Sequence, residues 1–168
     1  MLDDQALMQA LNSTPVVDGR RQDLWRDDDE VDRWAREHGG LGGDEERRWL
    51  RTARDALQAV ESGTSAEPRL RRVLAGVHKA PQPSASGIEW HLEVEPERRL
   101  AVELVLGWAD VKERMPGRLR PCENPACRLF LLDRSRANTA RWCSMKTCGN
   151  RLKARRHQAR AREAPRPD

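Results

Sequence analysis

All four cysteines of this chain lie between Cys122 and Cys148, spaced as Cys-x4-Cys, a gap of 15 residues and a second Cys-x4-Cys. Two thiolate pairs brought together make a tetrahedral sulfur cage, and Zn(II) accepts four such ligands with little geometric demand of its own. The competing readings are two disulfides, in any of three connectivities, or unrelated buried thiols. Disulfides need an oxidising compartment. The opening Met1-Leu2-Asp3-Asp4-Gln5 lacks the basic start and apolar core of a secretory signal. Reduced, cytoplasmic thiols are therefore expected, and with them one structural zinc ion held by Cys122, Cys127, Cys143 and Cys148.

A finger of this kind occupies a minor part of 168 residues and leaves room for one domain of ordinary size before it. Charged residues make up 35% of the chain, yet six tryptophans and regular Leu and Val spacing argue against disorder. No run approaches the roughly 18 apolar residues that span a bilayer, so no membrane partner is expected. Charge divides unevenly. Residues 118–168 carry 14 Lys and Arg against 4 Asp and Glu, whereas residues 1–117 carry 17 against 23. A basic module attracts polyphosphate and an acidic body is repelled by it, which directs nucleic acid to the C-terminal part.

Along the body the apolar residues recur mainly at helical spacing. Leu2, Ala6, Leu7, Ala10 and Leu11 predict a first helix, and Val16-Val17-Asp18-Gly19 a strand or extended stretch with a turn. Acids at Asp27 to Glu30 suit a helix N-terminus, followed by Val31, Trp34 and Ala35. A capped helix is predicted from Asp44, with Trp49, Leu50, Ala53, Ala56, Leu57 and Val60 as its stripe. Leu70, Val73, Leu74 and Val77 mark another, and Pro81 to Gly87 reads as a loop or one arm of a hairpin. Ile88, Trp90, Leu92 and Val94 alternate with Glu89, His91 and Glu93, the pattern of a half-buried strand. Pro96 opens a last helix through Leu100, Ala101, Leu104, Val105, Trp108 and Val111. Met115-Pro116-Gly117 breaks it and is taken as the boundary between a body of residues 1–117 and a finger of residues 118–168. Trp34, Trp49 and Trp108 read as core, with a ligand pocket as the alternative.

Within the finger, Cys122-Glu123-Asn124-Pro125-Ala126-Cys127 is a turn-rich knuckle. Leu129 to Leu132 and Arg141-Trp142-Cys143 are expected to pair as a hairpin across a polar turn, Asp133 to Thr139. Thr147 is expected to cap a helix running from Cys148 toward Arg162. The fold class that follows is mainly α with a small β-hairpin element and a C-terminal treble-clef-like zinc finger.

The knuckle, Phe130, Asp133-Arg134-Ser135, Arg141 to Met145 and the run Cys148-Gly149-Asn150-Arg151 resemble the CGNR zinc finger, whose four cysteines bind zinc. The body resembles, more loosely, the ABATE domain found with that finger in stress-induced transcriptional regulators. Leu11-Asn12-Ser13, Gly19-Arg20-Arg21, Asp23-Leu24 and the Trp-bearing helix at Val31 to Glu37 carry that likeness, with Ser13 a mild departure. The resemblance implies a sensory or ligand-binding body for a small-molecule effector, of unidentified binding residues. It also implies transcription regulation.

The expected partner is double-stranded DNA, and a homo-oligomer is compatible with the body's role as sensor or oligomeriser. Arg151, Arg155 and Arg162 would lie on one side of the terminal helix and Lys153, Arg156 and Arg160 on the other, leaving little of it for a core. Arg134, Arg136 and Arg141 add to the same basic surface. A solvated tail is the plain alternative for that helix. An RNA-binding zinc module and a protein-interaction adaptor are the alternative functions. Catalysis is not expected: four cysteines leave zinc no open position, and His38, His78, His91 and His157 are scattered.

Overall fold

A computed structural model describes residues 2–17 and 19–150. The elements are α1 (Asp4–Leu11), β1 (Val16–Val17), β2 (Arg20–Arg21), α2 (Asp28–Glu37), α3 (Asp44–Glu61), α4 (Glu67–Leu74), β3 (His78–Ser84), β4 (Gly87–Glu93), α5 (Pro96–Arg114), β5 (Leu119–Pro121) and β6 (Phe130–Leu132). The strands form three separate antiparallel pairs, β1 with β2, β3 with β4, and β5 with β6. None of the helices is long and apolar enough to cross a membrane, among the described residues.

Local chemistry sets the helix starts. Asp3 caps α1 by accepting the Ala6 N–H at 2.8 Å, and Asp27 caps α2 through the Asp29 N–H. The start of α3 differs from the expectation placed on Asp44. Its N-cap is Gly43, at φ 104°, which has no side chain to offer. Carboxylates order the approach instead: Glu46 of the first turn reaches back to accept from Leu41 and Gly42, and Asp32 of α2 accepts from Gly43.

The core forms where α3 and α5 lie together, with Leu50, Ala53 and Leu57 against Leu100, Leu104 and Val111, and with Leu7 and Leu11 of α1 added. One cation is built into it. The Arg54 side chain is only 3% exposed, bonds both carboxylate oxygens of Asp23 and the hydroxyl of Ser13, and lies over the Trp25 ring. Ser13 is thus a buried link between α1 and α3. Trp34 is buried as expected, and Trp49 and Trp108 are partly buried against the same core.

The strand pattern at Ile88 to Val94 is half corrected. Leu92 and Val94 pack on the core, but Ile88 is 59% and Trp90 63% exposed. Beyond the hairpin's base nothing among the described residues covers its apolar face, because β3 and β4 project with only each other as strand neighbours.

Leu119 and Phe130 join the helices' core, so β5 and β6 are seated on the body. Asn12, at the end of α1, fixes the seat: it accepts the Phe130 N–H at 2.7 Å and donates to the Phe130 carbonyl at 3.2 Å. Asn12→Ala leaves both backbone groups without these partners and is expected to lower stability by about 1–3 kcal/mol, read from denaturant unfolding of the zinc-loaded chain. An unchanged midpoint would remove the staple.

Candidate metal centre

The hairpin of the finger is not the expected one. β6 pairs with β5, which precedes the first cysteine, in the register Leu119↔Leu132 to Pro121↔Phe130. Residues 141–143 form no strand. The reason lies in Asp133, which is buried. Its carboxylate accepts from Ser135 N–H, Ala140 N–H and Arg120, each at 2.8 Å, and so wraps residues 134–140 around itself instead of letting them turn back along β6. Hydrogen bonds from Ser135, with those from Ala140 and the Arg120 charge, hold its pKa down to about 2 against the effect of burial. The knuckle reverses the chain between β5 and β6, and Glu123 N–H to Arg141 C=O, at 3.0 Å, ties the second cysteine pair to the first.

This arrangement brings the four sulfurs of Cys122, Cys127, Cys143 and Cys148 within 4.8 Å of one another. Cys127 to Cys143 and Cys143 to Cys148 are each 3.7 Å apart. Four sulfurs at Zn–S bonds of about 2.3 Å would stand about 3.8 Å apart in a tetrahedron, so the spacing is that of a metal cage. The cysteines are free of disulfides. Leu129 N–H donates to Cys127 Sγ at 3.4 Å, and Cys143 N–H to Cys122 Sγ at 3.5 Å. Such donors stabilise sulfur that carries negative charge.

Burial is the first influence on Cys127, Cys143 and Cys148. It pushes Cys127 up to about 11 and Cys143 further still, with the neighbouring cysteines adding to the resistance. At Cys148 burial acts the same way but is outweighed by the hydrogen bond from Asn124 and by the adjacent sulfurs, so its pKa falls. Thiols crowded like this need a cation to ionise together. The donor set and spacing fit one structural zinc ion, whose four positions the sulfurs fill.

Asn124 is the site residue that the sequence did not single out. Fully buried, it donates to Cys148 Sγ at 3.4 Å while its Oδ1 accepts the Ala126 N–H. Asn before Pro in a knuckle is a turn signal, and that turn aims the amide at the metal cage. Asn124→Ala is expected to weaken zinc binding about 10–100-fold while keeping one ion per chain, measured by competition with a chelator. Equal affinity would show that the amide is spectator structure.

Cys148 sits on a single wide helical turn, Met145–Gly149, with Cys143 just ahead of its cap, which is Ser144 and not Thr147: Ser144 Oγ accepts the Thr147 N–H at 3.4 Å. A Cβ at Gly149 would come within 2.8 Å of Met145 Sδ and 3.1 Å of the Trp142 ring, so the exposed Met145 side chain would have to move to admit one. The continuation of that helix to Arg162, and with it Arg151, Lys153, Arg155, Arg156 and Arg160, lies outside the described residues.

Of the other cations, Arg134 is exposed and paired with Asp4 at 3.0 Å, and Arg136 is exposed. Arg141 pairs with Glu123 at 2.5 Å and lies over the Trp142 ring. All three lie at the finger's surface, and the charges of Arg134 and Arg141 are each met by a carboxylate.

Fold and site together define a helical protein bearing a four-cysteine zinc finger. The family model described as the CGNR zinc finger matches residues 118–161, the segment that holds the whole cage. No curated protein matches the chain.

Proposed function

We propose that the protein is a zinc-dependent, DNA-binding transcriptional regulator of the cytoplasm, with the finger as reader and the helical body as sensor. The observation that carries this reading is the juxtaposition of a closed sulfur cage with the basic end of the chain: residues 118–168 hold 14 Lys and Arg against 4 Asp and Glu. A zinc ion without an open position has structural work only, so no catalytic role is assigned to it. In this reading the finger is treble-clef-like, the turn at Cys148 continues into a basic helix, and zinc sets where that helix points. The body is read as ABATE-like, and a small-molecule effector on it as the signal for a stress response.

Duplex DNA bound through about five phosphate contacts gives a log affinity that falls against log salt with a slope of about −4.5. Arg155→Ala combined with Arg156→Ala should weaken binding to all sequences alike, as phosphate contacts do. A flat salt response would remove the electrostatic mechanism. The direct test is selection of bound sequences from random duplex DNA, with zinc and after chelation. Enrichment with zinc alone is expected. No enrichment in either arm would contradict the reading, and preferential displacement by structured RNA would favour an RNA-binding module instead.

A further inference from the structure

The β3–β4 hairpin has two edges of opposite character. Pairing runs without a break from His78↔Glu93 to Ser84↔Gly87, through Pro81↔Trp90 and Pro83↔Ile88. A proline nitrogen carries no hydrogen, so an unbroken ladder requires Pro81 and Pro83 at the positions whose backbone groups point away from β4. The outer edge of β3 is thereby stripped of two donors, which is how natural sheets block strand addition. By the same alternation Ile88, Trp90 and Leu92 point their N–H and C=O groups to the outer edge of β4. Among the described residues no hydrogen bond occupies these groups. Ile88 and Trp90 also leave 59% and 63% of their surface exposed beside that edge.

The open edge is self-complementary. We propose that β4 pairs antiparallel with β4 of a second copy of this chain about a two-fold axis at Trp90, making one four-stranded sheet. In that register Trp90 meets its own counterpart, and Ile88 lies opposite Leu92 on the same face. All three are residues whose backbone groups already point outward, so each pair exchanges hydrogen bonds. On the other face Glu89 lies opposite His91, two side chains already 3.7 Å apart within one chain. A carboxylate–imidazole pair and apolar pairs thus coincide in a single alignment. A lone two-stranded hairpin is marginal in water, and pairing supplies the strands that it lacks. The interface is small, so the dimer is weak and concentration-dependent. This inference goes beyond the DNA-binding reading and does not depend on it.

The test is sedimentation equilibrium of the zinc-loaded full chain from about 1 to about 500 µM. A monomer–dimer equilibrium is expected, with the amides of Ile88, Trp90 and Leu92 exchanging more slowly as dimer forms. Trp90→Pro removes an outward donor and the exposed ring but no bond of the internal ladder, and should weaken association at least about 30-fold. Because that variant could disturb the hairpin, His91→Glu supplies a second arm. It sets Glu against Glu and should weaken the dimer, while Glu89→His with His91→Glu exchanges the pair and should restore it. A monomer throughout the range overturns the proposal. So does a dimer indifferent to both single variants, or one that the exchange fails to recover.

Discussion

Removal of zinc should unfold the finger of residues 118–150 while α2, α3 and α5 keep their helical signal. In isolated finger peptides at pH 7 a structural zinc contributes about 10–16 kcal/mol to folding. The finger's own buried apolar side chains, chiefly Leu119, Phe130 and Leu131, offer about 1.5–3 kcal/mol each, and Leu119 and Phe130 lie in the body's core rather than around the cage. Nothing comparable holds residues 122–127 and 143–148 together once the sulfurs lose their ion. Chelation should therefore abolish amide protection at Leu129 and Cys143, whose N–H groups donate to cage sulfurs, and change the emission of Trp142. Helices α3 and α5 should retain protection, weakened where β5 and β6 were seated. Protection at Leu129 and Cys143 that survives chelation would mean that the finger folds on its polar network alone.

Zinc affinity should rise at least about 100-fold for each pH unit between pH 6 and pH 8. The sign follows from the thiols. Cys127 stands at about 11 and Cys143 higher, so both carry protons at neutral pH before the ion binds. The ion takes thiolates, and binding must expel at least those two protons. Lowering the pH strengthens the competition and loosens the ion; raising it does the opposite, until the thiols ionise unaided. Cys148, whose pKa falls, contributes less to the slope. Calorimetry in buffers of different ionisation heat counts the protons released. Fewer than two would contradict the crowding of neutral thiols in the cage.

The four ligands were legible in the sequence because cysteine spacing is local and few residues compete for the role. Helices α1, α3 and α5 were legible for the same kind of reason: Leu and Ala recur every three or four positions and find a core. The finger's strand pairing was not. Leu129 to Leu132 and Arg141 to Cys143 both look like strand partners, and the carboxylate of Asp133, with Arg118 and Arg120 on the carbonyls of Ser135 and Ala140, closes residues 134–140 against that pairing. Asn124 was hidden because it acts across 24 residues, on Cys148. The hairpin tip misled in another way. Alternation at Ile88 and Trp90 is the pattern of a strand with one buried face, but nothing in the described chain supplies the cover.

Asn12 joins the body to the finger through its side-chain amide. Its amide presents one donor and one acceptor to the backbone of Phe130, much as a neighbouring strand would. The body and the hairpin that carries the knuckle therefore share a core and a hydrogen-bonded seam. In the proposed function that seam is the route by which a change in the body would reach the reader.

X-ray absorption at the zinc edge, on full-length protein purified without added chelator, examines the cage itself. One zinc per chain with four sulfur neighbours at about 2.3 Å is the result that the geometry of Cys122, Cys127, Cys143 and Cys148 predicts. A nitrogen or oxygen neighbour in the first coordination sphere, or a metal-free protein whose finger is folded, would contradict it.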